Sequence, residues 1–166
     1  MAHPHYYRAT LIWTGAGQGS TRDYNAYSRE YTVEIADKPL LRGSADAAFR
    51  GDPSLYNPED LLLVALSACH MLSYLALGAR LGVDVLAYRD HATGTMAIQR
   101  TPNQKIARLR FTEVMLYPQV TIAPGADAAH AQALHEQANA ECFIANSVNF
   151  PVRHEATILR PGDKAA

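Results

Sequence analysis

A long apolar run, Leu61-Leu-Leu-Val-Ala-Leu-Ser-Ala-Cys-His-Met-Leu-Ser-Tyr-Leu-Ala-Leu77, dominates the chain and is introduced by Asn57-Pro58-Glu59-Asp60. Asparagine caps a helix by accepting a backbone N–H, proline suits the first helical position, and two acids complement the positive end of the dipole. The spacing predicts a helix from Pro58 to about Arg80, stopped at Leu81-Gly82, where glycine tolerates a left-handed backbone. A membrane span needs about 20 predominantly apolar residues. Ser67, His70 and Ser73 interrupt this run, and Asp60 and Arg80 flank it, so a buried helix of a water-soluble protein is the better reading. A helix apolar almost all the way round must be covered on nearly every side. One sheet of five or six strands covers one face, so a second copy of the chain is expected to cover the rest in an obligate homodimer.

Around this helix the pattern alternates. Tyr7, Ala9, Leu11 and Trp13 share one face of a first strand, and Gly15, Gly17 and Gly19 mark a turn. Tyr31, Val33 and Ile35 predict a second strand ended by Lys38-Pro39, Leu40-Leu41 a short third, and Arg42 to Tyr56 a loop. Beyond the helix, strands are expected at Val85 to Tyr88, Gly94 to Ile98, and Leu109 to Ile122 with a break near Pro118. Ala126 to Ala140 reads as a helix whose main large apolar residue is Leu134. Phe143 to Val148 continues it or starts a short helix, and Pro151 to Leu159 supplies a last strand. Strands, helix, strands, helix, strand is an α+β order.

No repeat, low-complexity tract or linker divides the 166 residues, which are expected to form a single domain over 1–166. A net charge of −1 and the absence of a basic block argue against nucleic acid and anionic membranes as partners. The first ten residues lack the apolar core of a signal peptide. A cytoplasmic location is expected, where thiols are kept reduced.

The chain has two cysteines, Cys69 inside the apolar run and Cys142 after the alanine-rich stretch, too far apart in sequence for a CxxC motif or a zinc knuckle. An ordinary thiol is only a few per cent ionised at neutral pH, so a nucleophilic cysteine needs a nearby cation or donor. His70 is a poor base for Cys69, because consecutive helical side chains diverge by about 100°; it reads as a hydrogen-bonded core residue. His130 and His135 are five apart, do not share a helix face, and create no metal site. No motif for a metal, flavin or haem is visible.

Asn57-Pro58-Glu59-Asp60-Leu61-Leu62 followed by Leu66-Ser67-Ala68-Cys69 resembles the central-helix signature of the OsmC/Ohr proteins, thiol-dependent organic hydroperoxide reductases of bacterial osmotic and oxidative stress responses. Trp13-Thr14-Gly15, Phe49-Arg50-Gly51 and Cys142-Phe-Ile-Ala-Asn-Ser147 agree in order, so the resemblance extends from about Tyr6 to Ile158. It implies an OsmC-like fold, with antiparallel sheets wrapped around long central helices in an intertwined homodimer. It implies Cys69 as the peroxide-attacking thiol, Cys142 as the resolving thiol and Glu59 as a tuning carboxylate. It implies an activating arginine as well, with Arg50, in the loop before the helix, as first choice and Arg22, after the first strand, as second. Glu59 and Cys69 are ten residues apart, about 15 Å along one helix, so two central helices packed antiparallel would bring Glu59 of one subunit to Cys69 of the other.

The resemblance further implies an organic hydroperoxide substrate and an external dithiol reductant of the dihydrolipoamide kind. Two departures stand out: Phe143 follows Cys142 where the family commonly has proline, and His70 and the Ser44-to-Tyr56 loop suggest a separate subgroup. The competing function is a non-catalytic protein of the same fold that binds a small apolar ligand in the dimer groove. A cysteine acyl hydrolase lacks both a base and an oxyanion-hole motif. On the bland readings Glu59 only complements the helix dipole, Arg22, Arg29 and Arg50 are solvated surface charges, and Trp13 and Phe49 are core.

Overall fold

The computed structural model describes residues 3–100 and 107–163. They form two compact units with the boundary between Leu62 and Leu63. In the first unit, β1 (Thr10–Trp13), β2 (Tyr31–Glu34) and β3 (Leu41–Gly43) make an antiparallel sheet in that order, with Leu11 opposite Val33 and Val33 opposite Leu41. Tyr7, Ala9 and Ile35 fall outside these strands. Gly43 is required here, because a Cβ would lie 2.3 Å from the Tyr31 ring. Trp13 and Phe49 are exposed rather than core.

The long helix α1 spans Pro58–Leu81. Asn57 Oδ1 accepts from the Asp60 N–H at 2.7 Å while Asp60 Oδ2 accepts from the Asn57 N–H at 3.2 Å. This reciprocal arrangement satisfies two N–H groups that a helix start leaves free. At the other end Gly82 takes φ +80 and the Val83 N–H reaches the Gly78 carbonyl at 2.9 Å, the left-handed stop read from Leu81-Gly82.

The second unit departs from the single sheet expected. β4 (Val85–Asp90), β7 (Pro118–Ile122) and β9 (Thr157–Leu159) form one three-stranded sheet, and β5 (Thr93–Gln99), β6 (Arg108–Leu116) and β8 (Val152–His154) another. β4–β7 and β5–β6 are antiparallel, while β8 and β9 add in parallel to β6 and β7. The predicted last strand is therefore two strands that serve different sheets. Pro118 opens β7, where its missing N–H breaks no ladder.

Helix α2 (Ala128–Glu141) starts at Asp127, whose carboxylate accepts from the N–H groups of Ala129 and His130. Leu66, His70, Tyr74 and Leu77 form the buried stripe of α1. Tyr74 and Leu77 pack with Val120, Ile122, Ala131, Leu134 and Ala138 into the core of this unit. By length and composition α1 could cross a membrane. Its interruptions nevertheless have partners or a place: Ser67 donates to Asp90 at 2.5 Å, His70 meets His135, and Ser73 lines a groove. Val64 and Leu72 remain exposed on its other side.

Candidate active site

Cys69 lies in the middle of α1 and is half-buried, whereas Cys142 sits at the C-terminal end of α2 and is only 1% exposed. Both are free thiols, and Cys69 lies near enough to Cys142 to shift its pKa. α2 ends without a proline. Cys142 already has an extended backbone (φ −71, ψ 109), and the Asn146 side chain donates to the Ala140 carbonyl at 2.8 Å. Asn146 thus caps one of the free carbonyls that every helix end leaves, and Phe143 does not keep Cys142 from Cys69.

Burial first, and then the hydrogen bond with Cys69, push the Cys142 thiol up to about 11, against the backbone N–H groups of Ala145 and Ile144, which act in the opposite sense. Cys142 is accordingly a protonated thiol at neutral pH. The more accessible sulfur is Cys69. It lines a mostly apolar groove of about 670 Å³ together with Ala65, Leu72 and Ala76 of α1 and with Phe143, whose ring is 81% exposed. Ala65, Cys69, Leu72 and Ala76 recur at helical spacing along one face. An apolar molecule with one reactive polar group suits such a lining.

The remaining residues singled out in the sequence belong to the first unit. Glu59 is half-buried on the first turn of α1, and its charge adds to burial in raising the pKa of Tyr31, which keeps the phenol protonated. Arg50 is exposed, has left-handed backbone (φ 66), and places its guanidinium 5.9 Å from the Tyr24 ring. The next residue, Gly51, admits no side chain, since a Cβ would lie 1.5 Å from the Ala45 carbonyl oxygen. Arg22 is exposed. Arg29 is not a free surface charge: it stacks 3.9 Å from Tyr27 and donates to the Tyr24 and Tyr27 carbonyls.

His70 is a hydrogen-bonded core residue, as its sequence setting suggested, but its partner was missed. His70 Nε2 and His135 Nδ1 are 3.1 Å apart, both rings are inaccessible, and the His154 ring lies 5.3 and 5.8 Å from them. Burial, with the neighbouring imidazoles second, lowers His70 to about 4 and His135 to about 3, so both are neutral. Among the described residues no group of three or more His, Cys, Asp or Glu is arranged to hold a metal ion.

The α+β fold thus sets two neighbouring free thiols beside an apolar groove. Residues 51–157 match the family model described as OsmC-like protein, and the chain belongs to that family. No curated protein sequence matches it. Among solved structures, an OsmC-like protein of unknown function from Vibrio cholerae is 29% identical, with a TM-score of 0.81 over 93% of this chain and 100% of that one. An organic hydroperoxide resistance protein OsmC from Legionella pneumophila shares the fold at 17% identity (TM-score 0.65, covering 95% and 98%). So does an organic hydroperoxide resistance protein from Elizabethkingia anophelis, at 17% identity (TM-score 0.63, covering 95% and 99%).

Proposed function

We propose that the protein is a thiol peroxidase that reduces organic hydroperoxides to alcohols. The contact between accessible Cys69 and buried, protonated Cys142 beside an apolar groove carries this reading; the names of the Legionella and Elizabethkingia proteins agree with it. The Cys69 thiolate attacks the terminal peroxide oxygen and the O–O bond breaks. The sulfur is oxidised to sulfenic acid, and RO⁻ leaves and takes up a proton as ROH. Cys142 then attacks the sulfenic sulfur, the disulfide forms and water leaves. An external dithiol reduces the disulfide by two exchanges, returning two thiols and becoming a disulfide itself.

Arg50, with Arg22 as second choice, is proposed to stabilise the thiolate and the developing charge on the leaving oxygen. Glu59 is proposed to complete the site across a homodimer. The experiment is to add one equivalent of cumene hydroperoxide to reduced protein and to count free thiols and cumyl alcohol. One alcohol formed and two thiols lost is the expected result. Unconsumed peroxide with both thiols intact would instead support the second reading, a binder of small apolar ligands, which the apolar groove favours.

The homodimer is expected because Val64 and Leu72 on α1 stand exposed in the single chain, and burying such side chains is worth roughly 1.5–3 kcal/mol each. Sedimentation at micromolar concentration should show only the dimer until the protein unfolds. A folded monomer there would remove the dimer from the proposal.

A further inference from the structure

Two buried imidazoles that peroxide reduction does not consume link the helices that carry the thiols. His70 follows Cys69 on α1, and His135 precedes Cys142 by two turns on α2. One turn further on, the Tyr74 hydroxyl donates to the Ala131 carbonyl at 3.0 Å, so the two bonds step four residues along each helix in opposite directions. Together they define the register of α1 against α2.

We propose that the His70–His135 hydrogen bond is a positioning clamp that keeps Cys142 within disulfide-forming reach of Cys69; this rests on the reading of the two cysteines as a redox pair. A disulfide demands an S–S separation near 2.05 Å and a narrow range of dihedral angles, so a small slip between the helices separates the sulfurs. Apolar packing is non-directional and resists such a slip weakly. A neutral imidazole pair puts one donor opposite one acceptor at the shared edge, whichever ring carries the proton, and closes only when those two edges meet. The arrangement is otherwise unfavourable, because His70 Nδ1 and His135 Nε2 are buried without hydrogen-bond partners. Two apolar side chains would avoid that desolvation cost, so direction rather than stability is what the pair supplies.

The variants follow from the atoms involved. A glutamine amide takes the place of Nε2 and an asparagine amide that of Nδ1, so His70→Gln and His135→Asn retain the bond. The double variant His70→Leu/His135→Leu removes both polar partners together. Each protein is equilibrated in mixtures of reduced and oxidised dithiothreitol to obtain the Cys69–Cys142 potential. The closure of sulfenic acid to disulfide is timed separately from the attack on cumene hydroperoxide.

In the double variant the disulfide equilibrium should fall about tenfold, a potential about 30 mV less reducing, and closure should slow more than attack. His70→Gln and His135→Asn should stay within about twofold of the wild type, since they preserve a donor–acceptor pair. If the double variant does not fold, His70→Asn, too short to reach His135, should give the same shift. The clamp is overturned if the bond-breaking variant folds with the wild-type potential, or if the two conservative variants shift as far as it does. It is equally overturned if wild-type protein forms no Cys69–Cys142 disulfide in oxidised dithiothreitol. A wild type that forms this disulfide yet leaves peroxide unreduced would refute the peroxidase and leave the potentials to decide the clamp.

Discussion

Cys69→Ser should abolish consumption of organic hydroperoxide, while Cys142→Ser should permit one turnover and then stall. The asymmetry follows from accessibility and protonation. Cys69 faces the groove, whereas Cys142 is buried and its thiol is pushed up to about 11, so it contributes nothing to the first attack at neutral pH. Without Cys142 the sulfenic acid on Cys69 has no thiol to condense with and proceeds toward sulfinic acid as peroxide is added. Loss of Cys69 removes the one thiol that attacks at neutral pH, so consumption should fall to the background of peroxide without protein. Mass spectrometry after one equivalent of peroxide distinguishes the two. Oxidation appearing first on Cys142 in the wild type would reverse the assignment.

The second large effect is loss of stability in mild acid. His70 and His135 are held neutral in the folded protein, at about 4 and 3, whereas an unfolded histidine titrates near 6.5. Between these values the unfolded chain binds more protons than the native one, so stability falls as pH falls. The slope approaches about 1.4 kcal/mol per pH unit for each ring, and His70 alone accounts for roughly 3 kcal/mol by pH 4. The carboxylates of Asp52 and Asp127 accept hydrogen bonds and lie below the usual range, so their contribution is lost only at still lower pH. Urea midpoints between pH 7 and 4.5 test this, and the double leucine variant should flatten the curve. A wild-type midpoint that does not move over that interval would show that the rings are charged in the native state or exposed to water.

Local chemistry made α1 legible: Asn57, Pro58 and Gly82 act through their own neighbours, and their positions in the sequence are their positions in the structure. The two cysteines could be named from the residues around them, but their contact could not, because it depends on how α1 packs on α2. His135 was invisible for the same reason: its role comes from a residue on another helix, not from helical neighbours. The single sheet expected became three because strand partnership is decided by long-range pairing. The Pro151-to-Leu159 stretch splits because Val152 pairs with Val114 in one sheet and Ile158 with Val120 in the other. Arg29 looked like surface charge because nothing in the sequence places Tyr24 and Tyr27 around it.

That split has a consequence for biosynthesis. β8 and β9 are each three residues long, yet each adds the third strand to a sheet whose other two strands are made much earlier. Until residues 152–159 leave the ribosome, β6 and β7 present unpaired edges to the cell, and an open edge is a template for pairing with another chain. Closing both sheets late, through contacts distant in sequence, is also slow. The nascent second unit therefore passes through an interval in which chaperone capture and aggregation compete with the pairing of residues 152–159.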